Sequence, residues 1–355
     1  MKDRHLFLIL LYFVNNGYAA RWTETQANEW YEQQPWFIGT NFIPSTAINS
    51  LEMWQSETFD IETISRELSW AASLNMNLMR VYLHHLLWQQ NADDFASRID
   101  KFLQISSQNN IQIIFVLFDE CHTPNPKLGL QPIPIPGVHN SGWVRDPGQE
   151  MLLDQTKWSV LQQYTADIIT RFQNDTRIAL WDLYNEPECS QQVPIVLPLL
   201  KLVYAAAISA NPVQPLTVAP ASSLSEELAQ YEISISDVIT FHNYAPLADT
   251  MRMVEQLKTF NRPLICTEYL ARTAGSTIFT HIPYFYSNNI GSINWGLVSG
   301  KTQTIYPWFS PEGAPTPLIW FHDILHANGT PFSVYEVQFL KDLKPKRQNE
   351  IMLKY

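Results

Sequence analysis

The chain has 355 residues and carries 34 Asp and Glu against 23 Lys and Arg, for a net charge of −11 with no basic run. That balance argues against a nucleic-acid partner, because such affinity comes mainly from Lys and Arg neutralising phosphates. Only 16% of residues are charged, against the usual quarter, while aromatics reach 13% with 12 Trp, a chemistry that suits a neutral, hydroxyl-rich ligand.

At the start, Lys2 and Arg4 precede an apolar run from Leu6 to Val14, and Gly17 and Ala19 stand where a signal peptidase reads small residues. The expectation is a secretory signal peptide over residues 1–20, cut near Ala19, with a buried N-terminal strand as the alternative. No run reaches the roughly 20 apolar residues that a membrane span needs. The remaining residues 21–355 are long enough for two or three domains, but equally suit one barrel of about 250 residues with long loops.

Along the chain, short apolar runs alternate with helical patterns, the signature of βα units around a parallel sheet. Strands are predicted at Trp36–Ile43, Asn77–Leu83, Gln112–Phe118, Ala179–Tyr184, Leu216–Ala219, Val238–Asn243, Leu264–Tyr269 and Ser292–Leu297. Most are continuous apolar stretches, as strands buried on both faces require. Between them the spacing predicts helices over Asp60–Leu74, with Asp60 as N-cap, and over Asp93–Asn109, Gln149–Phe172, Val193–Ser209, Leu247–Phe260 and Thr277–Asn288. Eight strands with helices between them, and no Rossmann glycine fingerprint, point to an α/β fold of the (β/α)8 TIM-barrel type. The connection from Glu120 to Pro147 is long and Pro-rich, so it is expected to be functional and to lie at the C-terminal face of the barrel. The tail after Lys341 is charged and is expected to fray.

Two carboxylates stand out by position. Glu186 ends the fourth strand in Trp181-Asp182-Leu183-Tyr184-Asn185-Glu186-Pro187, and Glu268 ends the seventh in Leu264-Ile265-Cys266-Thr267-Glu268. Acids at the mouths of apolar strands are costly to desolvate, and strands four and seven face each other across a barrel. Either acid alone is as readily a helix cap or a salt-bridge partner; the pair fits the two carboxyl groups that glycosidic cleavage needs.

These residues and their neighbours resemble clan A glycoside hydrolases, particularly glycoside hydrolase family 5. Asn185-Glu186-Pro187 is similar to the acid/base motif, Asn77-Leu78-Met79-Arg80 to an Asn-x-x-Arg on strand two, and Phe241-His242-Asn243-Tyr244 to a His-x-Tyr pair on strand six. Ile293-Asn294-Trp295-Gly296 on strand eight resembles the motif whose Trp floors the −1 sugar subsite. The resemblance spans Trp36 to Pro331. It implies Glu186 as acid/base, Glu268 as nucleophile, Arg80 bonded to the nucleophile, His242 tuning the acid/base, Tyr244 touching nucleophile and sugar, and Asn185 holding the sugar 2-hydroxyl. It implies hydrolysis of a β-linked glycoside with retention, a carbohydrate as partner, and no cofactor or metal. A transglycosylase with the same site, and a non-catalytic sugar-binding barrel, are the rival readings. The chain is expected to be monomeric.

One landmark departs from the resemblance. Where such barrels often carry Asp-x-His after strand three, this chain has Asp119-Glu120-Cys121-His122, with His122 one place late. Trp143, Trp308 and Trp88 are expected on loops at the active face, with Trp143 as a stacking surface, whereas Trp181, Trp70 and Trp320 read as packing residues. Gly39-Thr40-Asn41 is a candidate cleft lining. His84 and His85 close strand two, His84 sharing parity with Arg80, or form a surface pair; with His122 they lack the His-x-x-x-His spacing of a helical zinc site. Of the three cysteines, Cys121 and Cys189 follow strands in the same kind of loop and are candidates for a bridge, while Cys266 lies within a strand.

Overall fold

In the computed structural model, which describes residues 20–220 and 226–343, eight parallel strands wind into a barrel with helices between them. They are β1 (Ile38–Asn41), β2 (Leu78–Tyr82), β3 (Gln112–Val116), β4 (Ile178–Asn185), β5 (Leu216–Ala219), β6 (Ile239–His242), β7 (Leu264–Glu268) and β8 (Gly291–Trp295). Each overlaps a predicted strand. The expected signal peptide lies, but for its last residue, outside the described residues, and so does most of the charged tail. Among the described residues no helix is long and apolar enough to cross a membrane.

Hydrogen bonding runs in the order β5-β4-β3-β2-β1-β8-β7-β6, so the barrel has one seam, between β5 and β6. Side chains stitch it: Asp237 Oδ2 accepts from Leu216 N at 2.9 Å, Ser236 Oγ from Val218 N at 3.1 Å, and the Thr217 and Thr240 hydroxyls meet at 2.8 Å. Arg21 and Trp22 lie against the same corner, Arg21 donating to the Ile233 and Ser236 carbonyls and Trp22 N to Asp237 Oδ1.

Strand parity divides the core in two. On β2, Met79 and Val81 face the outer layer between strands and helices, where most of the core lies. Leu78 faces inward, onto Phe37, Ile114, Leu180, Ile265 and Ile293, which fill the lower barrel above Trp30 and Tyr31. Arg80 and Tyr82 share that inward parity one and two steps nearer the mouth, so the alternation that buries Leu78 also aims them at the barrel axis.

The helices follow their caps. Asp60 accepts from Thr63 N ahead of the helix Ile61–Ser73, as expected. Five helices among the described residues lie outside the sequence-based set: Glu24–Glu32, which opens on a Thr23/Gln26 capping box, the short Ser50–Trp54 and His85–Gln90, then Glu227–Ile235 and Val334–Asp342. The single helix expected over Gln149–Phe172 is two, because the Asp154 side chain caps Thr156 N and starts a new turn before Trp158–Phe172. No helix or strand forms between Val116 and Gln149, in line with the long loop expected there.

Candidate active site

Arg80 is the organising residue. It is fully buried, and its guanidinium donates from Nη1 to Glu268 Oε1 at 2.7 Å, to Tyr82 Oη at 2.7 Å and to Asn41 Oδ1 at 2.9 Å. Nε and Nη2 both reach Asp182 Oδ2, at 2.9 and 2.8 Å, and Nη2 also reaches Asn185 Oδ1 at 2.8 Å. A buried cation needs such pairing, and the two carboxylates on either side supply it. The planar fork thereby fixes residues from β1, β2, β4 and β7 relative to one another.

Glu268 receives three donors: Arg80 and Tyr82 on Oε1, the latter at 3.0 Å, and Tyr244 Oη on Oε2 at 2.6 Å. Glu186 is treated differently. Its backbone sits at φ +44°, a left-handed value uncommon for a residue with a Cβ and one often found at functional sites. Its side chain keeps 19% exposure and lines a cavity, and burial pushes its carboxyl up to about 7 against a smaller opposing pull from Arg80. His242 lies between the two acids, with Nδ1 2.6 Å from Glu186 Oε1 and Nε2 3.5 Å from Glu268 Oε1. Burial holds His242 down at about 3, so its ring is neutral.

The mouth of the barrel opens into a cavity of about 310 Å³ lined by Glu186, Glu268, Asn185, Tyr244, Trp143 and Trp295, with His122, His139, His322 and Trp308 around the rim. The structure therefore brings six of the eight site residues expected from sequence to one opening, with Arg80 directly beneath and His242 between the two acids. The loop 120–147 forms one wall, as expected. Trp143, however, is only 3% exposed: its Nε1 donates to Asp119 Oδ2 at 2.7 Å and its ring meets Tyr82 and Trp295 edge-on. It braces the cavity rather than offering it a broad open face.

Other expectations need correction. His84 and His85 are buried outside the cavity; neither a surface pair nor a cleft lining, they pack ring on ring against Asp146, and His84 Nδ1 caps the short helix His85–Gln90 through Leu86 N. Trp88 lies on that helix and donates to Asp167 Oδ2 at 2.7 Å, away from the cavity. His122 stands exposed at the rim, and the Asp119 ahead of it fills the inner position. Asn41 reaches Arg80, so the first strand supports the site from below.

Sequence reasoning missed Asp119, Tyr82 and Asp182. Asp119 is buried, accepts from Asn185 Nδ2 at 2.9 Å, Trp143 Nε1 and Cys121 N, and is pushed up to about 7 by burial. With Arg80 on Asn185 Oδ1 and Asp119 on Nδ2, the Asn185 amide has one orientation, leaving its second N–H for a ligand. Tyr82 was readable from its parity with Arg80, and Asp182 as a lone acid inside an apolar strand.

Cys121 and Cys189 form a disulfide with Cα atoms 5.3 Å apart, joining the loops after β3 and β4. Cys121 Sγ lies 3.1 Å from Glu186 Oε2; a disulfide sulfur carries no hydrogen, so this is a packing contact that keeps water from the carboxyl. Two further groups bring ligand-type atoms within 4.8 Å of one another, His84/His85/Asp146 and Glu186/His242/Glu268, and both are already engaged by internal hydrogen bonds.

No protein-family model and no curated protein sequence matches the chain. Among solved structures it is similar to a GH5_18 protein from Streptomyces cattleya in complex with Manβ1-4GlcNAc, with a TM-score of 0.57 and 11% identity over 88% of this chain and 83% of that one. It is also similar to a hyperthermostable endo-1,4-β-D-mannanase from Thermotoga petrophila, with a TM-score of 0.54 and 14% identity over 86% and 99% of the two chains. A β-1,4-mannanase from the sea hare Aplysia kurodai gives 0.52 and 13% over 74% and 88%. The fold is the (β/α)8 barrel that these glycoside hydrolase structures share.

Proposed function

We propose that this chain is a retaining β-glycoside hydrolase in which Glu186 is the acid/base and Glu268 the nucleophile. The observation that carries the reading is the closeness of the two acids: an oxygen of Glu186, an oxygen of Glu268 and a nitrogen of His242 lie within 4.8 Å of one another. Retaining enzymes hold their carboxyl groups about 5–5.5 Å apart, whereas inverting ones need about 6.5–9.5 Å to admit a water between them. The two acids also stand in different environments, Glu186 raised by burial and Glu268 receiving three donors.

In the first half-reaction Glu268 attacks the anomeric carbon, the glycosidic C–O bond breaks, and the Glu186 proton goes to the departing oxygen. A glycosyl–Glu268 ester and a free alcohol result. In the second, Glu186, now a carboxylate, takes a proton from water as the water oxygen displaces Glu268, which returns both acids to their starting states. Asn185, its amide fixed by Arg80 and Asp119, has an N–H to offer the sugar 2-hydroxyl. Because the similar structures include β-1,4-mannanases and a Manβ1-4GlcNAc complex, manno-configured β-linked substrates head the screen. The disulfide fits an oxidising compartment, and we propose export through the basic and apolar N-terminus.

The roles are tested without knowing the natural substrate. Glu268→Gln should abolish turnover with the fold intact. Glu186→Ala should lose about 10²–10⁴-fold on a poor leaving group yet still form the glycosyl-enzyme from a dinitrophenyl glycoside, with azide restoring turnover as the β-azide. Glu268→Ala with azide should give the α-azide. The α-azide from the Glu186 variant, or rescue of neither, would reverse or remove these assignments.

A further inference from the structure

The loops after β1, β3 and β8 are fastened to one another above the barrel. Asn140 N donates to Thr302 O at 2.9 Å and Gly313 N to Pro136 O at 2.8 Å. Gln303 ties the same two loops three times, accepting from Gly137 N at 3.0 Å and donating to the Ile135 and Val138 carbonyls at 2.7 and 3.2 Å. Behind them Asn49, on the loop after β1, donates to Gly142 O at 2.9 Å. The contact is close enough to exclude side chains. A Cβ on Gly137, whose φ is +83°, would lie 2.5 Å from Ala314 N, and one on Gly142 would lie 2.3 Å from Ile48 Cδ1.

This junction ties β3 to β8, and in the barrel order β1 and β2 lie between those strands, so it roofs the β1–β2 side. His139, Asn140 and Trp143 give the cavity its lining on that side, while Glu186 and Cys189 line it on the other. A glycosyl unit attacked by Glu268 must turn its leaving oxygen toward Glu186, so the leaving group extends away from the junction. On the far side of that unit stands the wall. At about 310 Å³ the cavity is also near the small end of ligand sites, which run from about 300 to 1,000 Å³.

Resting on the hydrolase reading above, we propose that this three-loop wall closes the glycone end of the site, so that the protein removes single terminal units from the non-reducing ends of β-linked chains instead of cutting polymers internally. Nothing beyond the −1 unit can be accommodated without parting Gly137 from Ala314 and Asn140 from Thr302.

The experiment uses the full chain with β-1,4-linked manno-, gluco- and xylo-oligosaccharides tagged at the reducing end, the matching soluble polysaccharides, and aryl β-glycosides. The expected tagged products shorten by one unit at a time, and polymer viscosity holds while reducing ends accumulate. Tagged products that first appear two or more units shorter, or viscosity that falls ahead of reducing ends, overturn the closed-end inference and leave the hydrolase reading standing. No turnover on any substrate overturns both. Ser310 Oγ also bridges the two loops, accepting from His139 N at 3.3 Å and donating to Gly137 O at 2.6 Å, so the double variant Gln303→Ala, Ser310→Ala removes the side-chain tethers between them without touching the acids. It should raise internal cutting at least about tenfold relative to aryl-glycoside turnover; a product ladder identical to the parent's would mean that the wall is not what closes the site.

Discussion

His242 Nδ1 lies 2.6 Å from Glu186 Oε1 in surroundings that keep the imidazole neutral. A neutral ring donates from one nitrogen only. A proton on Nε2, which faces Glu268 Oε1 at 3.5 Å, leaves Nδ1 to accept from a protonated Glu186. The His242 tautomer and the protonated state of Glu186 thus support each other.

From this follows a pH profile. In the proposed acid's role Glu186 must hold its proton, and burial raises it to about 7. For a substrate with a poor leaving group, kcat/KM should fall about tenfold per unit above that pH. A dinitrophenyl glycoside, which needs no proton, should lose much less during glycosylation. A flat alkaline limb to pH 9 with both substrates would remove Glu186 from the acid's role.

The disulfide should matter to that same limb. Replacing Cys121 and Cys189 together by Ser frees a closure spanning 68 positions, worth about 4 kcal/mol of unfolded-chain entropy. It also withdraws the sulfur packed on Glu186 Oε2. Denaturant midpoints should drop, and the alkaline limb should move toward the ordinary carboxylate range as water reaches the acid. A lower midpoint with an unmoved limb would confine the bridge to stability.

Trp143→Phe keeps a smaller aromatic ring in place of the indole and deletes one hydrogen bond, that of Nε1 to Asp119 at 2.7 Å. A buried bond to a charged group contributes about 1.5–3 kcal/mol. Asp119 would then bind a proton more readily and hold Asn185 less firmly. We expect kcat/KM to fall about 10- to 100-fold, with the near-UV circular dichroism retained. Parent-level activity would show that the bracing described here does not reach the chemistry.

Glu67 offers a test of stability against pH. It is fully buried under Ser45, whose N lies 3.1 Å from Oε2, and burial raises it to about 7 from 4.5. A raised carboxyl stabilises the fold below its unfolded pKa, and that contribution is lost as pH climbs through the folded value. His84, pushed down to about 4, acts in the opposite sense, stabilising above its unfolded value and losing that as pH falls. Between pH 4.5 and 8 the parent should therefore lose up to about 3 kcal/mol that Glu67→Gln does not lose. Superimposable melting curves for the two chains across that range would refute the assignment.

The parts of this molecule that were legible in the sequence are those governed by local pattern. Runs such as Ile113–Phe118 are apolar throughout because both faces of the barrel wall are buried, so they read as strands. Arg80, Asn185, Glu186, His242, Glu268 and Trp295 fall at or near strand ends, where position along the chain fixes position around the mouth. The helix Glu227–Ile235 escaped because a buried Glu232 interrupts its apolar face. Asp119, His139 and His322 escaped for another reason. Their place depends on loop contacts such as Asn140 with Thr302, made across long separations that no short window contains. Trp143 was placed in the right loop, but its hydrogen bond to Asp119, which turns it edge-on, leaves no trace in spacing.

The seam between β5 and β6 makes this barrel a cylinder with one soft stave. Ladder hydrogen bonds elsewhere are backbone to backbone, whereas here Ser236, Asp237 and the paired threonines carry much of the closure. Amide protons of β5 and β6 should accordingly exchange with deuterium sooner than those of β2 and β3, at free energies below global unfolding. Arg21 and Trp22 belt that stave from outside, the clasp on a ring that the other strands form by their own ladders.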